Sequence, residues 1–249
     1  MVSNVRTRLS RASARIAVRL QRKGTPQRAE YGRVWDAMAV SEHDAKMSVS
    51  GFADEDLLRD TGRVTVDRIR AAVGIQSTDT VLEIGAGVGR LGAVVAPLCR
   101  EWIGTDVSGA MLGHMRTRLG DHVNARFVHV NGYDLAPIES ATIDLVYCVV
   151  VFMHLDEWDR YNYVLESARV LKPGGRLYVD NFNLCGEKGW ELFDGLRENC
   201  RPLERPPQIS KSSTPDELRE FLRRAGFIHV TTEEYDGLWV AAHGSLPRQ

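Results

Sequence analysis

A short apolar strand that runs directly into a glycine-rich turn constrains this chain more than any other feature. The stretch is Val81-Leu-Glu-Ile-Gly85-Ala-Gly87-Val-Gly89-Arg-Leu-Gly92. A strand covered on both faces reads as a continuous apolar run, as parallel strands under helices do. Glycines let the backbone turn sharply and let a ligand come close to it. A helix that follows such a turn offers free N–H groups and the positive end of its dipole. The combination predicts an α/β, doubly wound sheet with a nucleotide-type cradle at the end of its first strand. Gly87, Gly89 and Gly92 formally match G-x-G-x-x-G. The phase does not fit a dinucleotide site, where the first glycine of the triplet turns the chain directly after the strand. Here Gly85 holds that place, and counted from Gly85 the third position falls on Arg90.

As it stands, Leu-Glu-Ile-Gly-Ala-Gly-Val-Gly resembles motif I of the class I S-adenosylmethionine-dependent methyltransferases. Further stretches extend the resemblance. Trp102-Ile-Gly-Thr-Asp106 reads as a second strand ending in an acid 21 residues after Gly85, and Asp106-Val-Ser-Gly-Ala-Met111-Leu resembles the family's D-x-S-x-x-M-L. A carboxylate in that place accepts hydrogen bonds from ribose hydroxyls. Ser108 is placed to cap the next helix. Leu171-Lys-Pro-Gly-Gly175 matches the family's L-K-P-G-G turn into strand five. Dinucleotide folds do not require that turn, so it discriminates better than the glycines. The resemblance covers residues 60–242 and implies a Rossmann-like sheet of seven strands, mostly parallel with one antiparallel strand near the C-terminus, plus N-terminal cap helices. Phe227-Ile-His-Val-Thr and Gly237-Leu-Trp-Val-Ala-Ala are expected to form the closing hairpin.

By resemblance the cofactor is S-adenosylmethionine, contacted by Glu83, Gly85, Ala86, Gly87 and Gly89 at the turn. Asp106 is then at the ribose, and Val107 and Met111 lie beside the adenine. After the third strand, Arg126–Val130, many relatives carry Gly-Asp-Ala, with the acid on the adenine amino group. Here the sequence is Asn131-Gly132-Tyr133-Asp134. Gly132 and Tyr133 are therefore candidate contacts, through ring stacking or the Tyr133 hydroxyl, and Asp134 is the alternative. Ile143-Asp-Leu-Val-Tyr-Cys148 reads as the fourth strand. In relatives, backbone near that Cys148 position meets the methionine part of the cofactor, and His154 lies where the transferred methyl points.

The chain divides into a basic arm, residues 1–28, and a methyltransferase domain, residues 29–249. The domain includes cap helices at 29–75 and an acceptor-lid insertion at 181–213. Net charge is −1, but eight basic residues fall in the first thirty against Glu30 alone. The acidic remainder shows no bulk attraction to nucleic acid. Val5, Leu9, Ala12, Ile16 and Leu20 recur at helical spacing among arginines. Residues 5–22 are thus either a loosely ordered arm or a weak peripheral contact with an anionic membrane. No apolar run approaches the ~20 residues of a transmembrane span, and none resembles a signal peptide. Cys99, Cys148, Cys185 and Cys200 form no C-x-x-C pair or zinc-type cluster, which fits a reducing cytoplasmic compartment, here bacterial.

Methyl transfer needs an aligned acceptor and a dry site, and an oxygen acceptor must also lose a proton. His154 is the candidate general base, since its ordinary pKa lies near neutrality. The alternative role for His154 is to shape the pocket. Asp180, Asn181 and Asn183 are expected to follow strand five and touch a polar acceptor. With Asp156 or Glu157 they are also oxygen ligands suited to Mg²⁺, although their spacing does not indicate a metal site. Trp35, Tyr163 and Trp190 are candidates to stack on sugar rings. The expected reaction is O-methylation of a small polar acceptor such as a sugar or glycan. Polyketide-type, quinone-type and nitrogen acceptors stay open, as do a non-catalytic cofactor-binding relative and an NAD-dependent oxidoreductase.

Overall fold

A computed structural model describes residues 30–248. The basic arm and the amphipathic stretch 5–22 lie outside the described residues. Two short helices come first, α1 (Tyr31–Ala37) and α2 (Glu42–Ser50), followed by the longer α3 (Glu55–Val73). In the sequence the Thr61-Gly62 pair reads as a break after the acidic stretch from Asp54 to Asp60, yet α3 passes straight through it. The Asp54 side chain accepts the Leu57 N–H and caps the helix. Leu58, Gly62, Val66 and Ile69 form the buried face. Gly62 is accommodated because α3 crosses close to the glycine turn, where a Cβ would lie 3.2 Å from the Arg90 carbonyl oxygen.

The alternating core then runs β1 (Thr80–Ile84), α4 (Gly92–Val95), β2 (Glu101–Asp106), α5 (Gly109–Leu119), β3 (Ala125–His129), β4 (Ile143–Cys148), α6 (Glu157–Val170) and β5 (Leu171–Asn183). It is completed by α7 (Glu187–Asn199), β6 (Ser212–Ser213), α8 (Pro215–Arg224), β7 (Ile228–Tyr235) and β8 (Trp239–Ser245). The sheet order is β3-β2-β1-β4-β5-β8-β7, with the two-residue β6 paired to β5 as an eighth strand beyond the seven expected. Strands β1 to β5 are mutually parallel, and β8 runs antiparallel to β5 and β7. Strand β1 is buried along its whole length, and separate apolar clusters cover the sheet's two faces. The strand order reverses between β1 and β4. In an open sheet, ligands bind at the carboxyl ends of the strands flanking that reversal.

Two expectations about packing are corrected. In the sequence Trp158, Tyr161, Leu165 and Ala168 recur at helical spacing and mark one face of a helix from Asp156. The buried residues of α6 are instead Arg160, Tyr163, Val164, Ser167 and Val170, while Trp158 is 65% exposed. The buried guanidinium of Arg160 is accommodated because it donates to the Ser213 hydroxyl and the Ser212 carbonyl and pairs with Glu217 at 3.4 Å. Strand β5 also extends to Asn183, so Asp180, Asn181 and Asn183 lie inside it rather than after it. All three are buried. Asn181 donates to Ser213, and Asn183 donates to Glu234 while accepting from the Cys185 N–H.

The start of α7 is seated tightly against the end of β5. A Cβ on Gly189 would lie 1.8 Å from the Asn183 backbone oxygen. Gly189→Ala must therefore shift the helix or the strand, and overpacking of this kind costs about 1–3 kcal/mol. In a chain this long, a loss at the upper end lowers the melting temperature by several degrees, roughly 2–4 °C per kcal/mol. Thermal denaturation of Gly189→Ala beside Gly195→Ala, where a Cβ meets nothing within 4 Å, checks it. Gly195→Ala should be neutral or stabilising.

Candidate active site

The turn after β1 is built around two backbone positions that only glycine fills well. Gly85 has φ 68° and Gly87 φ 55°, both in the left-handed region. A Cβ on Gly85 would lie 2.4 Å from Val151, and one on Gly87 would lie 2.9 Å from Val49. The turn is thus wrapped by the segment after β4 on one side and by α2 on the other. Gly89, at φ 79°, is a third left-handed position with a packing part of its own: its Cβ would strike Leu119 at 2.3 Å, so it lets α5 pack against the turn.

Asp106 ties the turn to β2. One carboxylate oxygen accepts the Gly87 N–H at 2.8 Å and the other accepts the Ser108 N–H at 2.9 Å. Burial raises its pKa to about 6 against the pull of those N–H groups. Each oxygen retains acceptor capacity. Ser108 caps α5 as expected, accepting the Met111 N–H, and its hydroxyl donates to Asp36 of α1 at 2.6 Å. Asp36 also accepts the Ala110 N–H, and the Tyr31 hydroxyl donates to Asp159. These contacts hold α1 over the cavity.

That cavity opens beside the turn, and the sequence-predicted residues Glu83, Gly85, Ala86, Gly87, Asp106, Val107, Met111, Gly132 and His154 all line it. Gly89, Tyr133 and Cys148 do not. Cys148 is fully buried in the core of the sheet, and Val149, Val150 and Val151 present the chain to the cavity in its place. Tyr133 is 52% exposed because the Asn131 side chain accepts the N–H groups of both Tyr133 and Asp134, folding that loop into a tight turn facing away. Asp134 lies off the cavity as well, its carboxylate accepting the Ala136 N–H. Tyr31 fills the corresponding wall, and a Cβ on Gly132 would meet Tyr31 and Val107 at 3.1 Å each.

Sequence reasoning missed Tyr31, Arg90 and the role of Trp35. Tyr31 and Trp35 reach the cavity by tertiary packing of α1, for which the chain carries no local signal. Arg90 had one: it is a lone charge in an otherwise apolar turn. Burial lowers its pKa, while Glu83 and Asp180 nearby raise it. Glu83 lies deep in the cavity wall, accepts the Tyr147 hydroxyl at 2.5 Å, and is pushed up to about 8 by burial. Tyr147 in turn accepts the Trp102 indole N–H.

A second groove, of about 840 Å³, adjoins the first cavity. The two share Ser48, Val49, Arg90, Val149, Val150 and His154. Val150 sits at φ 61°, a strained conformation for a β-branched residue. Asp180 holds it there by accepting its N–H at 2.7 Å, and takes the Tyr235 hydroxyl on its other oxygen. Asp180 is thus a groove residue whose oxygens are engaged by the protein. Among the described residues no group of three or more His, Cys, Asp and Glu could hold a metal ion, and no helix is long and apolar enough to cross a membrane. The aromatic residues of the groove are Phe52, Phe182, Tyr235 and Trp239. Of the expected sugar-stacking residues, Trp35 and Tyr163 line the first cavity and Trp190 lines neither, pairing instead with Phe193.

His154 stands at the junction on a short 3₁₀ turn, Phe152–His154. Its Nδ1 lies 2.9 Å from the Gln208 carbonyl oxygen. A carbonyl only accepts, so Nδ1 carries the proton and Nε2 holds the lone pair. Trp35 meets the imidazole edge-on with ring centroids 4.8 Å apart. Burial lowers the His154 pKa, the Gln208 carbonyl raises it, and the Lys211 charge lowers it. The ring is therefore neutral at neutral pH.

Residues 82–179 match the family described as "Methyltransferase domain". The chain is 35% identical over 147 residues to a probable S-adenosylmethionine-dependent methyltransferase of Mycolicibacterium smegmatis, covering 59% of this chain and 51% of that protein. It is 30% identical over 187 residues to a demethylmenaquinone methyltransferase of Clavibacter sepedonicus, covering 69% of this chain and 75% of that one. The chain spans about half the length of the first curated relatives it matches. The fold is shared with the N-methyltransferase NodS of Bradyrhizobium japonicum, solved with S-adenosyl-L-homocysteine. That likeness has a TM-score of 0.62 at 13% identity and covers 88% of this chain and all of that one.

Proposed function

The chain belongs to the S-adenosylmethionine-dependent methyltransferase family, and from that premise we propose that it methylates a hydroxyl on a small ring-shaped acceptor, with His154 as the general base. The observation that carries the reading is His154 at the junction of the two pockets, with its lone-pair nitrogen Nε2 fixed by the Nδ1–H to Gln208 bond.

The first cavity suits the cofactor. Asp106 is placed for the ribose hydroxyls, with spare acceptor capacity on both oxygens. Tyr31, Val107, Met111 and Gly132 form a slot for the adenine. Glu83 and Arg90 supply opposite charges for the ammonium and carboxylate of the amino-acid end. The raised pKa of Glu83 fits this role, because a cation bound beside it restores the ionised form. When bound, S-adenosylmethionine supplies an electrophilic methyl group on a sulfonium.

The chain's own residues do the rest. Val149, Val150 and Trp35 exclude water around the junction, and the groove aligns the acceptor. His154 takes the acceptor's hydroxyl proton on Nε2, and the Gln208 carbonyl steadies the imidazolium that forms. Phe182 and Trp239, with ring centroids 4.5 Å apart, give a ring-shaped acceptor a wall to stack on. A sugar fits such a wall, as does an aromatic ring. The relative named as a demethylmenaquinone methyltransferase favours a second reading, a quinone-type ring acceptor.

Incubating the protein with S-adenosylmethionine labelled in the methyl group and a panel of hydroxylated sugars, phenols and hydroquinones separates these readings. The label is expected on oxygen. Label on ring carbon supports the quinone-type reading, and label only on primary and aromatic amines added to the same panel removes O-methylation.

A further inference from the structure

Arg68 presents to the acceptor groove a charge that the protein pairs only loosely, with Asp236 at 3.9 Å. It lies on α3, with its guanidinium carbon 3.7 Å from the centroid of the Tyr235 ring. Its side chain is 27% exposed, and it lines the groove. Among the described residues its side chain donates no hydrogen bond, and its one ion pair is a loose one, to Asp236 at 3.9 Å on a side chain that is 69% exposed. The other acids of the groove have further partners, although the Arg68 charge also reaches the buried Asp180. Asp180 accepts from Val150 and Tyr235. Asp60 is shared between Arg59 at 3.5 Å and Arg63 at 3.7 Å.

The ring under Arg68 is itself fixed. The Tyr235 hydroxyl is held by Asp180 at 2.9 Å, and its ring stacks on Trp239 at 6.3 Å and 10°. Trp239 meets Phe182 in turn. The groove therefore carries a run of groups in contact, Arg68, Tyr235, Trp239 and Phe182, apolar along the rings and cationic at one end. Stacking a guanidinium flat on an aromatic face costs it none of its in-plane N–H donors, and those donors match the two oxygens of a carboxylate or phosphate. A neutral sugar or phenol can accept these N–H bonds but leaves the charge uncompensated.

We propose that the methyl acceptor is an anionic ring compound, carrying a carboxylate or phosphate that Arg68 holds while the ring stacks on Trp239 and Phe182. This rests on the groove being the acceptor site of a methyltransferase. Arg68 acts as a specificity-determining residue, separate from the proton transfer at His154.

The test titrates the full chain, loaded with S-adenosyl-L-homocysteine, with ring-sized probes matched except for charge. Benzoate is compared with benzyl alcohol, and glucose 6-phosphate with glucose, in constant salt. Wild type, Arg68→Met and Arg68→Lys are measured, with Trp239→Leu as a check that the signal comes from the groove. At least one anionic probe is expected to bind tenfold or more tightly than its neutral partner. Arg68→Met should abolish that difference and leave the neutral probe unchanged, and Arg68→Lys should restore part of it. A preference for benzoate alone identifies a carboxylate, and one for the phosphate alone identifies a phosphate. Equal binding of charged and neutral probes overturns the proposal. So does an anion preference that survives Arg68→Met, or no binding of any probe at concentrations that register a weak fragment. Loss of S-adenosyl-L-homocysteine binding by the wild type would be a failure of the methyltransferase reading instead, visible before any probe is added.

Discussion

His154→Gln lowers the rate of methyl transfer roughly a hundred- to ten-thousandfold, the usual contribution of a positioned general base, and leaves affinity for S-adenosyl-L-homocysteine almost unchanged. Glutamine is polar and of similar reach but takes up no proton near neutral pH. The pH profile distinguishes a base from a wall residue. Burial places the His154 pKa below its ordinary 6.5, and the base must be neutral to act. The wild-type rate should therefore be flat through neutrality and fall only as pH drops through that lowered value. In His154→Gln that acid limb disappears. A variant that raises KM but keeps both kcat and the limb would leave His154 a pocket-shaping residue. Steady-state kinetics across pH 5–9 on the acceptor found by the labelling panel measure both.

Asp106→Ala has the next largest effect, on binding rather than chemistry. Asp106 is fully enclosed, orders the turn through Gly87 and the start of α5 through Ser108, and faces the cavity. A hydrogen bond to a charged group is worth about 1.5–3 kcal/mol. Losing the ribose contacts should then weaken S-adenosyl-L-homocysteine about a hundredfold, at 1.4 kcal/mol per tenfold. Asp106→Asn separates the ligand's share from the turn's, because one amide oxygen can still accept a single N–H. Its folding stability should stay near wild type while affinity drops. If affinity is retained in both variants, Asp106 orders the turn only.

What the sequence made legible follows from how local each feature is. The β1 run and its turn could be read because burial on both faces demands continuous apolar residues and because Gly85 and Gly87 adopt φ values that other residues resist. The Ser108 cap is likewise written within four residues of chain. Features set by partners distant in sequence stayed hidden. Tyr31 and Trp35 reach the cavity because Asp36 meets Ser108, 72 residues further on, and Tyr31 meets Asp159, 128 residues further on. Aromatic residues suggested the wrong inner face for α6, since nothing local announces that Ser213 and Glu217 solvate the buried Arg160. Tyr133 replaced an acid at the expected adenine contact, but the Asn131 side chain had already folded that loop away. Asp180, which read as a loop acid able to meet a metal or acceptor, instead pins the strained Val150 between the two pockets.

The central claim is that the cavity beside the glycine turn is a site for S-adenosylmethionine and not for a dinucleotide. Calorimetric titration of the wild-type chain with S-adenosyl-L-homocysteine, and in parallel with NAD, tests it most directly. Binding of S-adenosyl-L-homocysteine with one-to-one stoichiometry, and no heat from NAD, is the result expected if Asp106 meets the ribose and Tyr31 the adenine in the cavity they line beside Gly85. Heat from NAD and none from S-adenosyl-L-homocysteine would contradict it and return the turn to the dinucleotide reading of its glycines.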